Sequence, residues 1–244
     1  MWLEIINLIC WVVTFIGFYI ILNPNINIVK NLHISPYKKL SHINKSNTLN
    51  IINDNILIEK SKLFHCNYNI GVFNLNGSLN VGNIMRSGCV FGVKTFHIFG
   101  KKYYDSRSCV GSNNYVNLKI INDIIYDLPD KAIRPKINIK KFRDYLIENN
   151  LSPIFIEQGG KDLNKFNFNS HQCDNPIFIF GNESYGIDLE IINGCKDIKG
   201  FACISIPQIG VLRSMNVSTS ASIILWEYYK QKLIKTDPRY KYDL

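Results

Sequence analysis

From Cys66 onward, short runs of apolar residues alternate with stretches of helical periodicity. This alternation predicts an α/β layer architecture, in which helices cover a mainly parallel sheet. We expect six strands, at residues 70–75, 93–99, 117–121, 153–157, 176–180 and 201–206. Three helices are expected, at residues 81–91, 140–149 and 217–233. The loop after the second strand is expected to be polar, and Gly159-Gly160 is expected to end the fourth strand.

The first of three polar segments, Asn80-Val-Gly-Asn-Ile-Met-Arg86, falls on the first predicted helix. Asn80, Asn83 and Arg86 follow one another at intervals of three residues, which puts them on roughly one helical face. A polar face next to a strand end is a candidate site. Taken alone, the segment also fits a surface arginine that pairs with a carboxylate.

The second segment, Gly181-Asn-Glu-Ser-Tyr-Gly186, follows an apolar run typical of a buried strand. Gly181 then lies at the carboxyl end of that strand, where open α/β sheets bind ligands and a missing side chain allows close approach. The spacing lacks the first glycine pair of a dinucleotide loop, so a nicotinamide site is not predicted. Glu183 either helps to organise a site or is an ordinary turn residue.

The third segment, Ile206-Pro-Gln-Ile-Gly-Val-Leu-Arg-Ser-Met-Asn216, is the most specific pattern in the chain. It combines Ile-Pro, a glycine three residues after the proline, Ser-x-Asn and a helix that begins with small residues. Pro207 fixes the loop, and Ser218, Ser220 and Ala221 allow a tightly packed helix beneath it.

In this order, the three segments resemble the signature motifs of the SpoU family, the RNA 2'-O-ribose methyltransferases of the SPOUT superfamily. The resemblance covers about residues 66–232. It implies methylation of a ribose 2'-hydroxyl in tRNA or rRNA with S-adenosylmethionine as the donor. It also implies a trefoil knot and a homodimer whose active sites lie near the subunit interface. A catalytically inactive RNA-binding protein of the same fold is the alternative.

The resemblance also implies roles for individual residues. Five residues are assigned to the active centre: Arg86, Asn80, Glu183, Ser214 and Asn216. Three are assigned to the S-adenosylmethionine pocket: Gly181, Ile206 and Met215, the last of which replaces the family's usual leucine at similar volume. Arginine is a poor proton acceptor. We therefore expect Arg86 to hold the target phosphate and lower the pKa of the hydroxyl, with base catalysis left open.

The formal net charge of +9 and the pI of about 9.1 favour a partner that carries phosphates. Between the first two motifs, a stretch that begins at Lys101 and continues to Tyr115 combines cations with aromatic rings, which hold phosphates and stack on bases. Lys101, Lys102 and Arg107 are therefore the candidate RNA contacts. The same composition also fits a solvated surface loop.

The composition divides the chain into four parts. Residues 1–22 are almost entirely apolar and are predicted to be a membrane anchor or a targeting leader, although a buried first helix is also compatible with them. Residues 23–65 are rich in Asn and Lys and are predicted to be a linker or presequence. Residues 66–232 form the predicted methyltransferase domain, and residues 233–244 form a basic tail. We expect localisation to a plastid or mitochondrion, or membrane anchoring, rather than a cytoplasmic protein.

The seven cysteines are widely scattered and lack the close pairs that zinc sites and dithiol chemistry use. Several stand among apolar residues, where cysteine behaves as a small hydrophobic side chain. We expect free thiols in a reducing compartment and no metal site.

Overall fold

The computed structural model describes residues 58–59, 61–74, 79–101, 104–125, 136–182 and 185–234. The predicted leader, most of the predicted linker and nearly all of the basic tail lie outside these ranges. Two candidate site residues, Lys102 and Glu183, also lie outside them. Within the ranges, no helix combines the length and the hydrophobicity that a membrane span requires.

One parallel sheet forms the centre of the fold. Its strands are, in chain order, β1 (Asn69–Asn74), β2 (Thr95–Gly100), β3 (Asn117–Ile121), β4 (Ser152–Asp162), β5 (Pro176–Phe180) and β6 (Ala202–Ser205). They lie side by side in the order β3-β2-β1-β5-β4-β6, and all five neighbouring pairs run parallel. The predicted α/β fold with a parallel sheet is confirmed.

Five α-helices connect and cover the described strands: α1 (Leu79–Val90), α2 (Ser106–Cys109), α3 (Ile139–Glu148), α4 (Leu189–Gly194) and α5 (Val217–Tyr228). Short 3-10 helices occur at Lys62–Phe64, Ser112–Asn114 and Leu163–Lys165, and a π-helical turn at Tyr229–Leu233 follows α5.

The sheet is covered on both faces, as a parallel sheet requires. Successive side chains of a strand point to opposite faces. In β5, Phe178 and Phe180 therefore join the core beneath α1 and α5, whereas Ile177 and Ile179 join the core beneath α3 and α4. We call these two sides the α1/α5 face and the α3/α4 face. All carboxyl ends of the strands meet at one edge, where parallel α/β sheets bind ligands.

Local details differ from the sequence prediction at several places. The fourth strand does not end before Gly159-Gly160 but bulges there and continues to Asp162, because Gly159 adopts a φ of 82°. The predicted last helix changes to π-helical geometry after Tyr228. The short helices α2 and α4 were not predicted, since four to six residues show too little periodicity.

Candidate active site

A cavity of about 220 Å³ opens at the carboxyl ends of β4, β5 and β6. We call it the strand-end cavity. All three predicted pocket residues, Gly181, Ile206 and Met215, line it together with the predicted active-centre residue Ser214. Gly181 directly follows β5 and Ile206 directly follows β6, so the sheet itself brings the second and third motifs together.

The second motif is folded back on itself by two backbone hydrogen bonds. The N–H of Asn182 donates to the carbonyl of Gly186 at 3.2 Å, and the N–H of Gly186 donates to the carbonyl of Asn182 at 2.8 Å. A Cβ atom on Gly181 would collide with the backbone of Gly186. Glycine is therefore required at 181 to close this turn, and its bare backbone forms part of the cavity wall.

The bulge in β4 contributes two cavity residues that the sequence analysis missed. Ile156 and Lys161 both pair with Ile204 of β6, so residues 157–160 protrude from the ladder. Among them, Glu157 and Gln158 line the strand-end cavity. The sequence signal for them is a Glu-Gln-Gly-Gly segment after a buried apolar run, a pattern that also predicts the end of a strand.

Asn216 connects the third motif to the first. Its side-chain amide donates to Oδ1 of Asn80 at 3.0 Å, across 136 positions of sequence. Its Oδ1 accepts from the backbone N–H groups of Ser218 at 2.8 Å and Thr219 at 3.3 Å, which caps the amino end of α5. One side chain thus fixes the start of α5 and ties it to α1.

A second hydrogen bond holds the same two helices together. The hydroxyls of Ser87 in α1 and Ser222 in α5 lie 2.9 Å apart. The Ser222 hydroxyl also donates to the carbonyl of Ser218 at 3.0 Å. Both helices thus keep a polar contact where they pack together.

Arg86 does not line the strand-end cavity. It is exposed and borders a separate cavity of about 390 Å³, which we call the Arg86 cavity. Ser218 and Thr219 of α5 line the Arg86 cavity, whereas Val217 and Ser220 line the strand-end cavity. Different residues of the first turn of α5 thus line the two cavities, and Arg86 borders the one that does not contain the predicted donor-pocket residues.

The candidate RNA contacts that the structure describes, Lys101 and Arg107, are both exposed. Lys101 follows β2, and its backbone is fixed by Asn74, whose side-chain amide donates to the Lys101 carbonyl at 2.8 Å. The side chain of Arg107 is 89% exposed and pairs with Asp105 at 2.6 Å. Hydrogen bonds from Arg107 hold the pKa of Asp105 below its ordinary value. Asp105 therefore holds part of the hydrogen-bonding capacity of Arg107.

The sequence that forms this sheet and its strand-end cavity matches a known family. The model of the SpoU rRNA Methylase family matches residues 67–226, which is more than half of the chain. The chain belongs to this family.

Two curated relatives have similar sequences. The mouse tRNA (guanosine(18)-2'-O)-methyltransferase TARBP1 is 27% identical over 162 residues, which cover 64% of this chain. The putative tRNA (cytidine(34)-2'-O)-methyltransferase of Listeria innocua is 25% identical over 138 residues, which cover 52% of this chain and 78% of the relative. The chain spans only 9% of the length of the mouse relative.

Solved structures have the same fold. The A. aeolicus TrmH/SpoU tRNA modifying enzyme superposes with a TM-score of 0.56 at 18% identity, covering 75% of this chain and 86% of that one. The SpoU methyltransferase AviRb from Streptomyces viridochromogenes, solved in complex with the cofactor AdoMet, superposes with a TM-score of 0.50 at 19% identity. That match covers 67% of this chain and 57% of the AviRb chain. Similarity at this level of identity concerns the fold alone.

Proposed function

We propose that this protein transfers a methyl group from S-adenosylmethionine to a ribose 2'-hydroxyl of tRNA or rRNA. The observation that carries the proposal is the strand-end cavity. It gathers Gly181, Ile206 and Met215 from two distant parts of the chain into one wall, with Ser214 beside them. These are the residues for which the family resemblance implies a role in donor binding and catalysis.

The residues of the strand-end cavity fit this donor. Gly181 lines the cavity without a side chain, and backbone groups at strand ends suit the polar parts of a nucleoside. Ile206 and Met215 supply apolar contact for an adenine ring. When bound, S-adenosylmethionine would supply the methyl group of its sulfonium: the ribose oxygen would form the C–O bond in line as the C–S bond breaks, the thioether product would leave, and the hydroxyl proton would pass to a base or to water.

The hydroxyl that accepts the methyl group is a weak nucleophile, so the protein must orient it and stabilise the negative charge that develops on its oxygen. We assign this role to Arg86, whose guanidinium carries several N–H donors and can hold the neighbouring phosphate at the same time. Asn80 and Asn216 fix α1 relative to α5 through their mutual hydrogen bond. Ser214 and Glu183 complete the proposed centre.

We propose that the enzyme is a homodimer. Arg86 and the strand-end cavity are separated within one chain, so a second copy is needed to bring an arginine to the donor. Exposed apolar side chains lie near both the Arg86 cavity and the strand-end cavity. Val90 and Trp226 lie on the helices that border the Arg86 cavity, and Val211 lies in the 206–216 segment. A dimer would cover these side chains and so remove them from water.

The proposed RNA contacts are Lys101, Lys102 and Arg107. Lys101 lies at the carboxyl edge of the sheet, the edge that also carries the strand-end cavity. An RNA phosphate would compete with Asp105 for the guanidinium of Arg107.

The finer features of the fold and of the chain ends are also proposals. We propose that the backbone forms the trefoil knot that the family resemblance implies, with the 206–216 segment returning from the edge strand β6 to α5; a backbone trace from a crystal structure would test it. We propose that residues 1–65 direct the protein to an organelle or a membrane. A fusion of these residues to a fluorescent protein would test this, and a diffuse cytoplasmic signal would contradict it.

Methyl transfer from labelled S-adenosylmethionine to total tRNA and to rRNA tests the function directly. We expect labelled 2'-O-methylribose in one of the two RNA fractions. Arg86→Ala should lower turnover at least a hundredfold, while Lys94→Ala, an exposed cation at the opposite edge of the sheet, should leave it unchanged. RNA binding without methyl transfer by the wild-type protein would instead favour the inactive RNA-binding alternative.

Subunit mixing tests the dimer. Arg86→Ala and Gly181→Val should each be inactive alone, since one removes the proposed charge stabiliser and the other fills the donor turn. Mixed in equal amounts and re-equilibrated, they should regain about a quarter of wild-type activity, because about half of the dimers are then mixed and one of the two sites in each mixed dimer is intact. No recovery in a preparation shown to contain mixed dimers would contradict an active site shared between subunits.

A further inference from the structure

Two glycines allow the bulge in β4 to pack closely against β6. Gly159 has a φ of 82°, a conformation that other residues rarely adopt. A Cβ atom on Gly160 would lie 2.7 Å from the backbone of Ile204, so only glycine lets the bulge approach β6 this closely. The Ser205 hydroxyl donates to the carbonyl of Gly160 at 2.9 Å and closes the contact. The bulge is therefore anchored at its carboxyl end, which fixes the two residues that precede the glycines.

The first of these residues, Glu157, holds the second motif. Its Oε2 accepts from the backbone N–H of Ile187 at 2.7 Å, directly after the turn that Gly181 and Gly186 close. Its Oε1 accepts from the N–H of Gln158 at 2.9 Å. A Cβ atom on Gly186 would lie 2.5 Å from the Glu157 carboxylate, so the carboxylate packs directly against that glycine. Glu157 thus braces the turn from the sheet side.

The second residue, Gln158, holds the third motif. Its side-chain amide donates to the backbone carbonyl of Arg213 at 2.6 Å. Arg213 immediately precedes Ser214 and Met215, which line the strand-end cavity. In the same 206–216 segment, the side chains of Ile209 and Val211 are fully exposed and so do not pack against the rest of the protein. Gln158 therefore supplies an anchor at the point where the segment reaches the cavity.

We propose that Glu157 and Gln158 are positioning residues, which hold the 181–187 turn and the 206–216 segment at the spacing that the methyl donor requires. The proposal rests on the proposed function and extends it. Two adjacent side chains on one rigid bulge reach the two loops that form the cavity wall, so the width of the cavity depends on both hydrogen bonds. Neither residue needs to touch the transferred methyl group to play this role.

The test measures donor binding by calorimetry on the full chain, separately from catalysis. Glu157→Ala and Gln158→Ala should each weaken binding of S-adenosylmethionine about tenfold, the effect expected from the loss of one or two hydrogen bonds. The KM for the donor should rise by a similar factor, while kcat stays within about twofold because the reacting groups are unchanged. Glu157→Gln, which keeps one acceptor oxygen, should recover part of the affinity.

Two matched controls lie elsewhere on the surface. Glu190→Ala in α4 and Gln172→Ala before β5 remove exposed side chains of the same types that do not line the strand-end cavity. Both should bind the donor as the wild type does. Affinity for RNA should be unchanged in all variants, since the brace acts on the donor side.

The outcomes separate this inference from the proposed function. If wild-type protein binds no S-adenosylmethionine, both fail. If it binds the donor but methylates no RNA, the proposed function fails and the variants still decide the inference. Wild-type donor affinity in both alanine variants would overturn the inference. A lower melting temperature with unchanged donor affinity of the folded variants would also overturn it, because Glu157 and Gln158 would then only stabilise the fold.

Discussion

Two polar pairs on the α3/α4 face of the sheet lie away from both cavities, whereas two of the predicted active-centre residues, one on α1 and one before α5, border cavities. His97 in β2 is buried and hydrogen-bonded to the hydroxyl of Tyr145 in α3 at 2.8 Å. Arg143 in α3 binds Asp197 after α4 at 2.5 Å. By contrast, Arg86 and Ser214 border cavities and are exposed.

The difference shows how one sheet separates stability from function. A polar group that is paired with another side chain helps to fix the position of its helix, and it has less capacity left for a ligand. A polar group at a cavity keeps that capacity, and its removal leaves the packing beneath it intact. We therefore expect substitutions on the α3/α4 face to change mainly the free energy of unfolding, and substitutions at the cavities to change mainly binding and turnover.

The largest effect on stability is expected from Phe142→Ala. Phe142 is fully buried in α3, and its ring packs against those of Phe73, Phe99 and Phe155. Removing the ring leaves a cavity and should lower the free energy of unfolding by about 4 kcal/mol. Denaturant titration measures this loss. Affinity for S-adenosylmethionine at a temperature where the variant is folded should stay within twofold of wild type.

The matched control for this substitution lies on the same helix. Ile147 is 56% exposed, so Ile147→Ala should change stability by no more than about 0.5 kcal/mol. A tenfold loss of donor affinity in folded Phe142→Ala would contradict the proposed division between stability and binding. It would show that a substitution on the α3/α4 face changes donor binding at the strand-end cavity.

The layer architecture was predictable because strands and helices each leave a local pattern of apolar residues in the sequence. β5 is a run of five apolar residues that are all buried, the pattern of a strand covered on both faces. α1 was predicted to within two residues because Val81, Ile84 and Met85 recur at helical spacing and all three are buried. The bulge in β4 was not predictable in the same way, since Gly159-Gly160 has the same local pattern whether a strand ends or bends.

The candidate site also contains residues that local motifs predict and residues that they do not. Gly181, Ile206 and Met215 were selected from motifs, and the structure brings them to one cavity. Glu157 and Gln158 were missed because their role depends on partners 30 and 55 residues away, which no local pattern reveals. The separation of Arg86 from the strand-end cavity was missed for the same reason, since spacing along a helix does not say which cavity a side chain will border.

An intermediate effect on stability is expected from pH, through His97. Burial, and then the nearby Lys119, lower the pKa of His97 from its ordinary value of 6.5 to about 3. Its Nε2 has no hydrogen-bond partner among the described residues. In the unfolded chain, His97 therefore binds a proton below about pH 6.5, whereas in the folded protein it does so only below about pH 3. Stability is full above pH 6.5 and should fall by about 2 kcal/mol between pH 7 and pH 5.

Comparing His97→Phe with wild-type protein isolates this contribution. The phenylalanine ring occupies similar space without titrating, so denaturant titrations at pH 7 and pH 5 should differ by about 2 kcal/mol less than in wild type. Tyr145→Phe is the control: it removes the hydroxyl but leaves the histidine buried, so the pH dependence should persist. An unchanged slope in His97→Phe would show that the acid sensitivity arises elsewhere.

The smallest effect on stability is expected at Asn216, where the two roles meet in one side chain. Asn216→Ala removes the cap of α5 and the hydrogen bond to Asn80, and it should lower the free energy of unfolding by about 1–2 kcal/mol. Asn216→Asp keeps an oxygen for the cap and should restore most of this stability. Turnover should stay low in both variants, because neither keeps the amide that donates to Asn80. If the aspartate variant regained turnover together with stability, Asn216 would act only as a helix cap, and the contrast between a stabilising face and a functional face would not extend to it.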